Sequence, residues 1–451
     1  MKAGVEELTS FLADHPDVEY VDAILFDLCG IVRGKRYPRQ DAKGLYENGM
    51  QIPFSVFLLD VTGDCPDAGG RGFSDGDPDG IAVPVPGTLK RVPWARVPSA
   101  QVLLTMTEQD GSASFLDPRV VLQGVEKRLR DDGLHPVTAL ELEFYLIDRE
   151  RMSDGGPQFP IAPDTGQRDK NTQVYGMWEI ESYAAVLRDI EYACNVQGVP
   201  CYTASSEYAP GQFEVNLRHV SDGVAAADHA SLLKRVVMGV AEKHGFEATF
   251  MSKPFTHMAG NGLHIHLSLC DEQGNNLFDD GSDTGSEMLR WAIGGMQATM
   301  AEGMALFSPN ANGYRRFAPN LYVPVGRTWG VNNRSVAFRV PAGAGPTRRV
   351  EHRVCGADAN PYLALAAVMA GAHHGITSRI DPGPANTGNA GEHLDPDVPW
   401  TWRSALARLE GAEVLPGYLG AEYLGLYHAT KTAELEKFQS VITPHEFAWY
   451  L

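Results

Sequence analysis

Four separate segments of the chain alternate a ligating side chain with an apolar one, and this pattern restricts its fold more than any other feature. In TALELEFYLID (138–148), Glu141 and Glu143 fall on one face of a strand while Leu140, Leu142 and Phe144 fall on the other. In AGNGLHIHLSL (259–269), His264, His266 and Ser268 share a face. SSEYAPGQFEVNL (205–217) has Glu207 before a Pro-Gly turn and Glu214 after it, so a hairpin could return both carboxylates to one place. In RRVEHRV (348–354), Glu351 and Arg353 lie on one side. Each segment alone could be a solvent-facing edge. Together they predict one sheet whose polar face gathers like charges, an arrangement that is costly unless cations lie among them.

The rest of the chain predicts a mixed fold. VEYVDAILFDLCGIVRGKRY (18–37) turns at Cys29-Gly30 like a strand pair and predicts a hairpin-rich N-terminal unit. In the loop that follows, DGDPDG resembles the start of a calcium loop, but Pro86 stands at the twelfth position where a bidentate Glu is required, so a surface loop is expected. DPRVVLQGVEKRLRDDG, from Asp117, reads as a helix with an acidic cap and Pro in its first turn, and marks the domain boundary. Beyond it, strands such as ATFMSKP alternate with helices such as DHASLLKRVVMGVAEKHG and NPYLALAAVMAGAHHG. Neither GxxxxGK[ST] nor GxGxxG occurs, so those loops do not cradle a nucleotide.

Composition narrows the partners. A formal net charge of -19 over 451 residues argues against nucleic acid, which needs clustered basic residues. No run of about 18 apolar residues predicts a membrane span, and MKAGVEELTSFLADH reads as a short amphipathic helix rather than an export signal. Six scattered cysteines without a CxxC predict reduced, near-core thiols in a cytoplasmic protein.

Five carboxylates and His264 make six ligands, enough for two divalent cations with positions left for substrate oxygens. Hard oxygen donors with one imidazole suit magnesium or manganese better than zinc. Arg315, Arg316, Arg334, Arg339, Arg348, Arg349 and Arg353 crowd within forty residues, and their planar guanidinium groups match carboxylate and phosphate. Paired cations beside anion clamps predict phosphoryl transfer from ATP that activates a carboxylate for attack by a nucleophile.

The ordered motifs ELEFYL, EYAPGQFEVN, KPFTHMAGNGLHIHLSL, NGYRRF, NNRSVAFRVP and VEHRVCGADANPYLALAA resemble the glutamine synthetase family over essentially the whole chain. YVDAILFDLCGIVRGKRYP, SVFLLDVTGD and DKNTQVYG are most similar to its γ-glutamylamide ligases, which include the γ-glutamylputrescine synthetases. The resemblance implies an α+β chain: a β-grasp domain over 18–113 and a catalytic α/β domain over 114–451. It also implies a homo-oligomer, a dodecamer of two stacked hexameric rings with active sites between neighbouring chains. By motif position, Glu143, Glu207 and Glu214 would hold one metal, and Glu141, His264 and Glu351 the other. His266 and Ser268, with Arg349, would meet nucleotide phosphates; Gly260, Arg316, Arg334 and Arg353 would position L-glutamate; Arg339 would face the transferring phosphoryl group.

Several departures bear on the nucleophile and on regulation. Where glutamine synthetases carry an ammonium-binding acid, RRFAPNLYVP places Tyr322, and the N-terminal neighbourhood of the second such acid reads MQIPFSVF. Without anionic partners a desolvated ammonium ion is costly, whereas an alkylamine can bury its carbon chain against aromatic and apolar groups. A primary amine larger than ammonia, putrescine or another polyamine or alkylamine, is therefore expected. The alternatives are a glutamine synthetase using ammonia and a non-catalytic structural or nitrogen-sensing relative. PAGAGPTRR lacks the expected Lys before Glu351, Gly313 replaces the usual Ser, and the 382–400 loop holds no Tyr for adenylylation.

Overall fold

The computed structural model describes residues 2–282, 284–343 and 345–451; Ala344 of PAGAGPTRR lies outside them. The N-terminal unit contains α1 (Val5–Asp14), β1 (Tyr20–Phe26), β2 (Val32–Pro38), α2 (Ala42–Asn48), β3 (Met50–Pro53), β4 (Asp79–Pro84), β5 (Lys90–Arg91) and β6 (Ser99–Thr107). Its strands run in the order β2-β1-β6-β4-β3, with β5 on β6; β6 is parallel to β1 and the other pairs are antiparallel. A hairpin, a helix and a last strand laid parallel beside the first is the arrangement a β-grasp requires. Ala3 and Leu8, ahead of the hairpin, are buried in the same core.

Asp117 caps α3 (Pro118–Asp131) by accepting the Arg119 amide at 2.9 Å, so the acid-Pro signal forms the helix start it predicts. Then follow β7 (His135–Ile147), α4 (Met177–Ser182), α5 (Ala184–Gln197), β8 (Cys201–Ser206), β9 (Gln212–Leu217), α6 (Gly223–Lys243), β10 (Glu247–Thr249), β11 (Leu263–Cys270) and α7 (Glu287–Phe307). The chain continues through β12 (Trp329–Val331), β13 (Phe338–Val340), β14 (Val350–His352), α8 (Pro361–Ser378), α9 (Trp402–Glu410), α10 (Pro416–Leu419), α11 (Ala421–Gln439) and α12 (Pro444–Tyr450). The second sheet runs β12-β13-β14-β11-β7-β9-β8, with β10 on β7.

Alternation divides this sheet into two faces. Leu140, Leu142, Phe144, Leu263, Ile265, Phe338 and Val350 are fully buried, and α6 packs on β7, so the apolar face is covered. The other face carries the charged residues. ATFMSKP departs from expectation: pairing ends at Thr249, and Ser252 bonds Asp358 instead of continuing the ladder. Cys65 is exposed rather than near-core.

The two units share one apolar core, and Asn360 joins their backbones. Its side-chain oxygen caps α8 by accepting from Tyr362 and Leu363, while its amide nitrogen donates to the Asp27 and Leu28 carbonyls at 2.9 and 3.3 Å. Gly30 turns there with φ +74°, close against Asn360. Among the described residues no helix is long and apolar enough to cross a membrane.

Candidate active site

Strand register assembles the polar face. His264 lies opposite Glu141 across β11 and β7, and Glu143 opposite Glu214 across β7 and β9. His266 lies opposite Glu351 across β11 and β14, and Glu351 opposite Arg339 across β14 and β13. Seven of the predicted residues thus meet through direct cross-strand pairing, where side chains approach most closely. Glu207 comes in from the β8–β9 hairpin, whose turn needs a glycine: Gly211 has φ +71° and a Cβ there would sit 2.7 Å from the Leu146 carbonyl.

Charge is balanced unevenly. Glu351, 1 % exposed, accepts from Arg339 at 2.9 Å on one oxygen and from Arg353 on the other. Burial opposes its ionisation, but Arg353, His264 and His266 outweigh burial and hold its carboxyl at about 2. Glu141 lies 3.0 Å from His266 Nε2 and 3.5 Å from His264 Nδ1; against the penalty of burial, those imidazoles hold it well below the usual carboxylate range. The opposite holds at the β9 end. Burial, then Glu143 and Glu214, push Glu207 up to about 9; burial, then Glu141 and Glu143, push Glu214 up to about 7. Glu143 accepts the Gly262 amide at 2.6 Å. These three carboxylates take part in none of the ion pairs among the described residues that neutralise Glu141 and Glu351.

The donor atoms suit hard divalent cations. Among the described residues, donors of Glu141, His266 and Glu351 lie within 4.8 Å of one another, as do those of Glu141, Glu214 and His264. His266 Nδ1 accepts from Arg349 at 3.0 Å, which turns Nε2 toward Glu141. A set of carboxylates with one or two imidazoles, incompletely neutralised, fits two such ions. The donors group differently from the motif-based division: Glu214 sits with Glu141 and His264, and His266 reaches the carboxylates.

The remaining predicted residues occupy distinct places. Arg316 is buried and donates to the Val354 carbonyl at 3.2 Å; Gly260 packs on it so closely that a Cβ would meet Arg316 Cγ at 2.8 Å. Ser268 is buried and donates its hydroxyl to the Arg348 carbonyl. Arg339 also donates to Asn332 at 3.0 Å. Arg334 and Tyr322 line a cavity of about 800 Å³ at the mouth of the polar face, with Asn332, Asn333 and Asn386.

Sequence reasoning missed the residues that hold these groups in place. Gln212 donates to the Gly260 carbonyl and to Asn261, both at 3.0 Å, while Asn261 reaches the Met251 carbonyl. This pins the AGNG loop to the hairpin. Tyr175 and Tyr208 at the mouth, and His219 with its ring 5.7 Å from His266, were also missed. Tyr208, directly after Glu207, was the one with a visible signal.

Similarity agrees with this geometry. Residues 115–450 match the family described as glutamine synthetase, catalytic domain. The chain is 42 % identical over 451 residues to gamma-glutamylputrescine synthetase PuuA of Escherichia coli (strain K12), covering all of this chain and 95 % of the relative. It is 29 % identical over 460 residues to a glutamate–isopropylamine ligase of Pseudomonas sp, covering 100 % and 98 %. A solved structure described as a GmaS/ADP complex superimposes with TM-score 0.81 at 29 % identity, covering 97 % of this chain and 98 % of that one.

Proposed function

The chain belongs to the glutamine synthetase family, and from that premise we propose that it is an ATP-dependent ligase. It joins the γ-carboxylate of L-glutamate to a primary amine, putrescine or a related alkylamine first, through γ-glutamyl phosphate, and releases ADP and phosphate. The observation that carries the reading is the sheet face itself: carboxylates and imidazoles in cross-strand register, flanked by buried arginines.

Glu141, Glu143, Glu207, Glu214, His264 and Glu351 would hold two Mg2+ or Mn2+ ions, with His266 close enough to share in one set. Bound there, such ions would neutralise charge on ATP and on the transferring phosphoryl group. Arg339 is fixed by Glu351 and Asn332, so its guanidinium is oriented before substrate arrives and needs no reorganisation as charge develops. Arg349 and His266, bonded to each other, with Ser268 on the same strand face, form the phosphate side. Arg316, Arg334 and Arg353 with the close-packed Gly260 form the glutamate side, where a side chain at residue 260 would displace Arg316. Tyr322 stands where the amine would arrive, with a phenol in place of an acid.

The division at 113/114, the ring-shaped homo-oligomer and a cytoplasmic setting belong to the same reading. The exposed apolar residues Val441, Ile442, Trp449, Tyr450 and Leu451 support an oligomer in which a neighbouring copy covers them. The test is phosphate release with MgATP and L-glutamate across ammonia, methylamine, ethanolamine, isopropylamine, putrescine, spermidine and aniline. Release with alkylamines well above that with ammonia is expected; release with ammonia alone refutes the amine assignment. Full activity in Glu143→Ala would sink the metal assignment.

A further inference from the structure

The mouth of the site is a cluster of tyrosines. Tyr208 and Tyr322 face each other with ring centroids 5.8 Å apart, tilted by 34°, and their hydroxyls interact. They are 51 % and 59 % exposed, so their outer ring faces are open to a ligand. Tyr175, 56 % exposed, accepts a hydrogen bond from Arg334 at 3.2 Å. It sits at φ +57°, a strained conformation for a bulky residue, and its amide is tied to the Ser206 carbonyl at 3.0 Å. Tyr208 directly follows Glu207, so the pair borders the end of the carboxylate cluster that, among the described residues, has no ion pair of its own.

The surrounding wall is rich in amide side chains. Asn320, Asn332, Asn333, Asn386 and Asn389 line the cavity, while Leu321 and Val331 are its aliphatic members. A plain hydrocarbon tail would leave amide and phenol groups of such a wall without their water. A tail ending in a cation would meet aromatic faces, phenol oxygens and amide carbonyls. Tyrosine faces attract ammonium groups through their quadrupole, and a desolvated pair does so more strongly than a single exposed ring. Arg334, a cation in the mouth, donates to Tyr175, and among the described residues no cation–π contact falls on the Tyr208 or Tyr322 ring.

Building on the amine-ligase reading, we propose that Tyr208 and Tyr322 are specificity-determining residues that hold the second, non-reacting ammonium group of a diamine against their open outer ring faces and hydroxyls. The reacting nitrogen then points inward past Glu207, and the carbon chain spans the two positions. The pair selects for a cationic tail as well as for chain length.

The test compares butane-1,4-diamine with butylamine, which has the same chain and lacks the second amine. Phosphate release is measured on the full chain at saturating MgATP and L-glutamate. Tyr208→Ala and Tyr322→Ala are each expected to raise KM for the diamine by about tenfold while kcat is retained, the size of one partly desolvated cation–π contact. KM for butylamine should move by less than about twofold in either variant, and Tyr208→Phe should keep most of the diamine preference because the ring face remains. Unchanged KM values for glutamate and ATP in the same variants show that the site is intact. An equal rise for both amines would overturn the proposal in favour of simple apolar contact, and no rise for either would overturn it outright. If the unsubstituted protein releases phosphate with ammonia alone, the amine-ligase reading fails before any variant is made, and this proposal falls with it.

Discussion

The two ends of the carboxylate cluster have the same ligand chemistry and opposite electrostatic states. At the β14 end, Glu351 is clasped by Arg339 and Arg353, and Glu141 lies against two imidazoles, so burial does not prevent ionisation. At the β9 end, Glu143, Glu207 and Glu214 crowd together, and burial first, then repulsion from neighbouring carboxylates, raises Glu207 to about 9 and Glu214 to about 7. Where arginines flank the carboxylates, the chain carries its own countercharge. Where they do not, it leaves the deficit to whatever cation it binds.

Breaking the compensated end has the largest expected effect. Glu351→Ala leaves Arg339 and Arg353 facing each other in a buried space, and should lower stability by about 3–5 kcal/mol. The check is denaturant unfolding; a loss below about 1 kcal/mol would mean that the arginines find other partners at no cost. Filling the uncompensated end comes next. Mn2+ or Mg2+ at about a hundredfold above Kd should stabilise the protein by about 2.7 kcal/mol, read as a rise in Tm. Glu214→Gln should lose most of that rise.

The uncompensated end also sets a pH dependence. In the folded protein Glu207 holds its proton to about 9, whereas the unfolded carboxyl releases it near its ordinary 4.5. Stability from this group is complete below the unfolded value and is lost as pH rises toward about 9. Without metal, Glu207→Gln should therefore be more stable than the unsubstituted protein at pH 8, by about 1–2 kcal/mol, with the two converging near pH 4. Thermal melts in chelator across that range decide it; parallel curves would count against the repulsion. Glu351 runs the other way, stabilising above its ordinary value and losing its contribution as pH falls toward about 2. The smallest effect concerns Ser268. Ser268→Ala should cost about 1 kcal/mol through the lost bond to Arg348. A rise in KM for ATP would add a phosphate contact to that role.

Alternation made the faces of the strands legible, because a two-residue period is local. It could not show which strand lies beside which: that Glu351 faces His266 and Arg339 depends on pairing between segments 85 and 12 residues apart. The division of the carboxylates into a compensated and an uncompensated end follows from that register, so it was invisible in the segments. Helix starts were legible where a cap is a chemical signal, as at Asp117. The end of ATFMSKP was not, because Ser252 is drawn off by Asp358, more than a hundred residues away. The pins made by Gln212 and Asn261 were hidden for the same reason.

Asn360 carries a consequence for how the molecule comes apart. One amide starts helix α8 and simultaneously holds the hairpin turn of the N-terminal unit, across a core that both units share. Neither unit can melt first without uncovering apolar surface of the other and orphaning this side chain. Heating should therefore yield a single calorimetric peak, and a fragment starting at residue 114 should expose sticky surface and precipitate rather than persist as a trimmed enzyme.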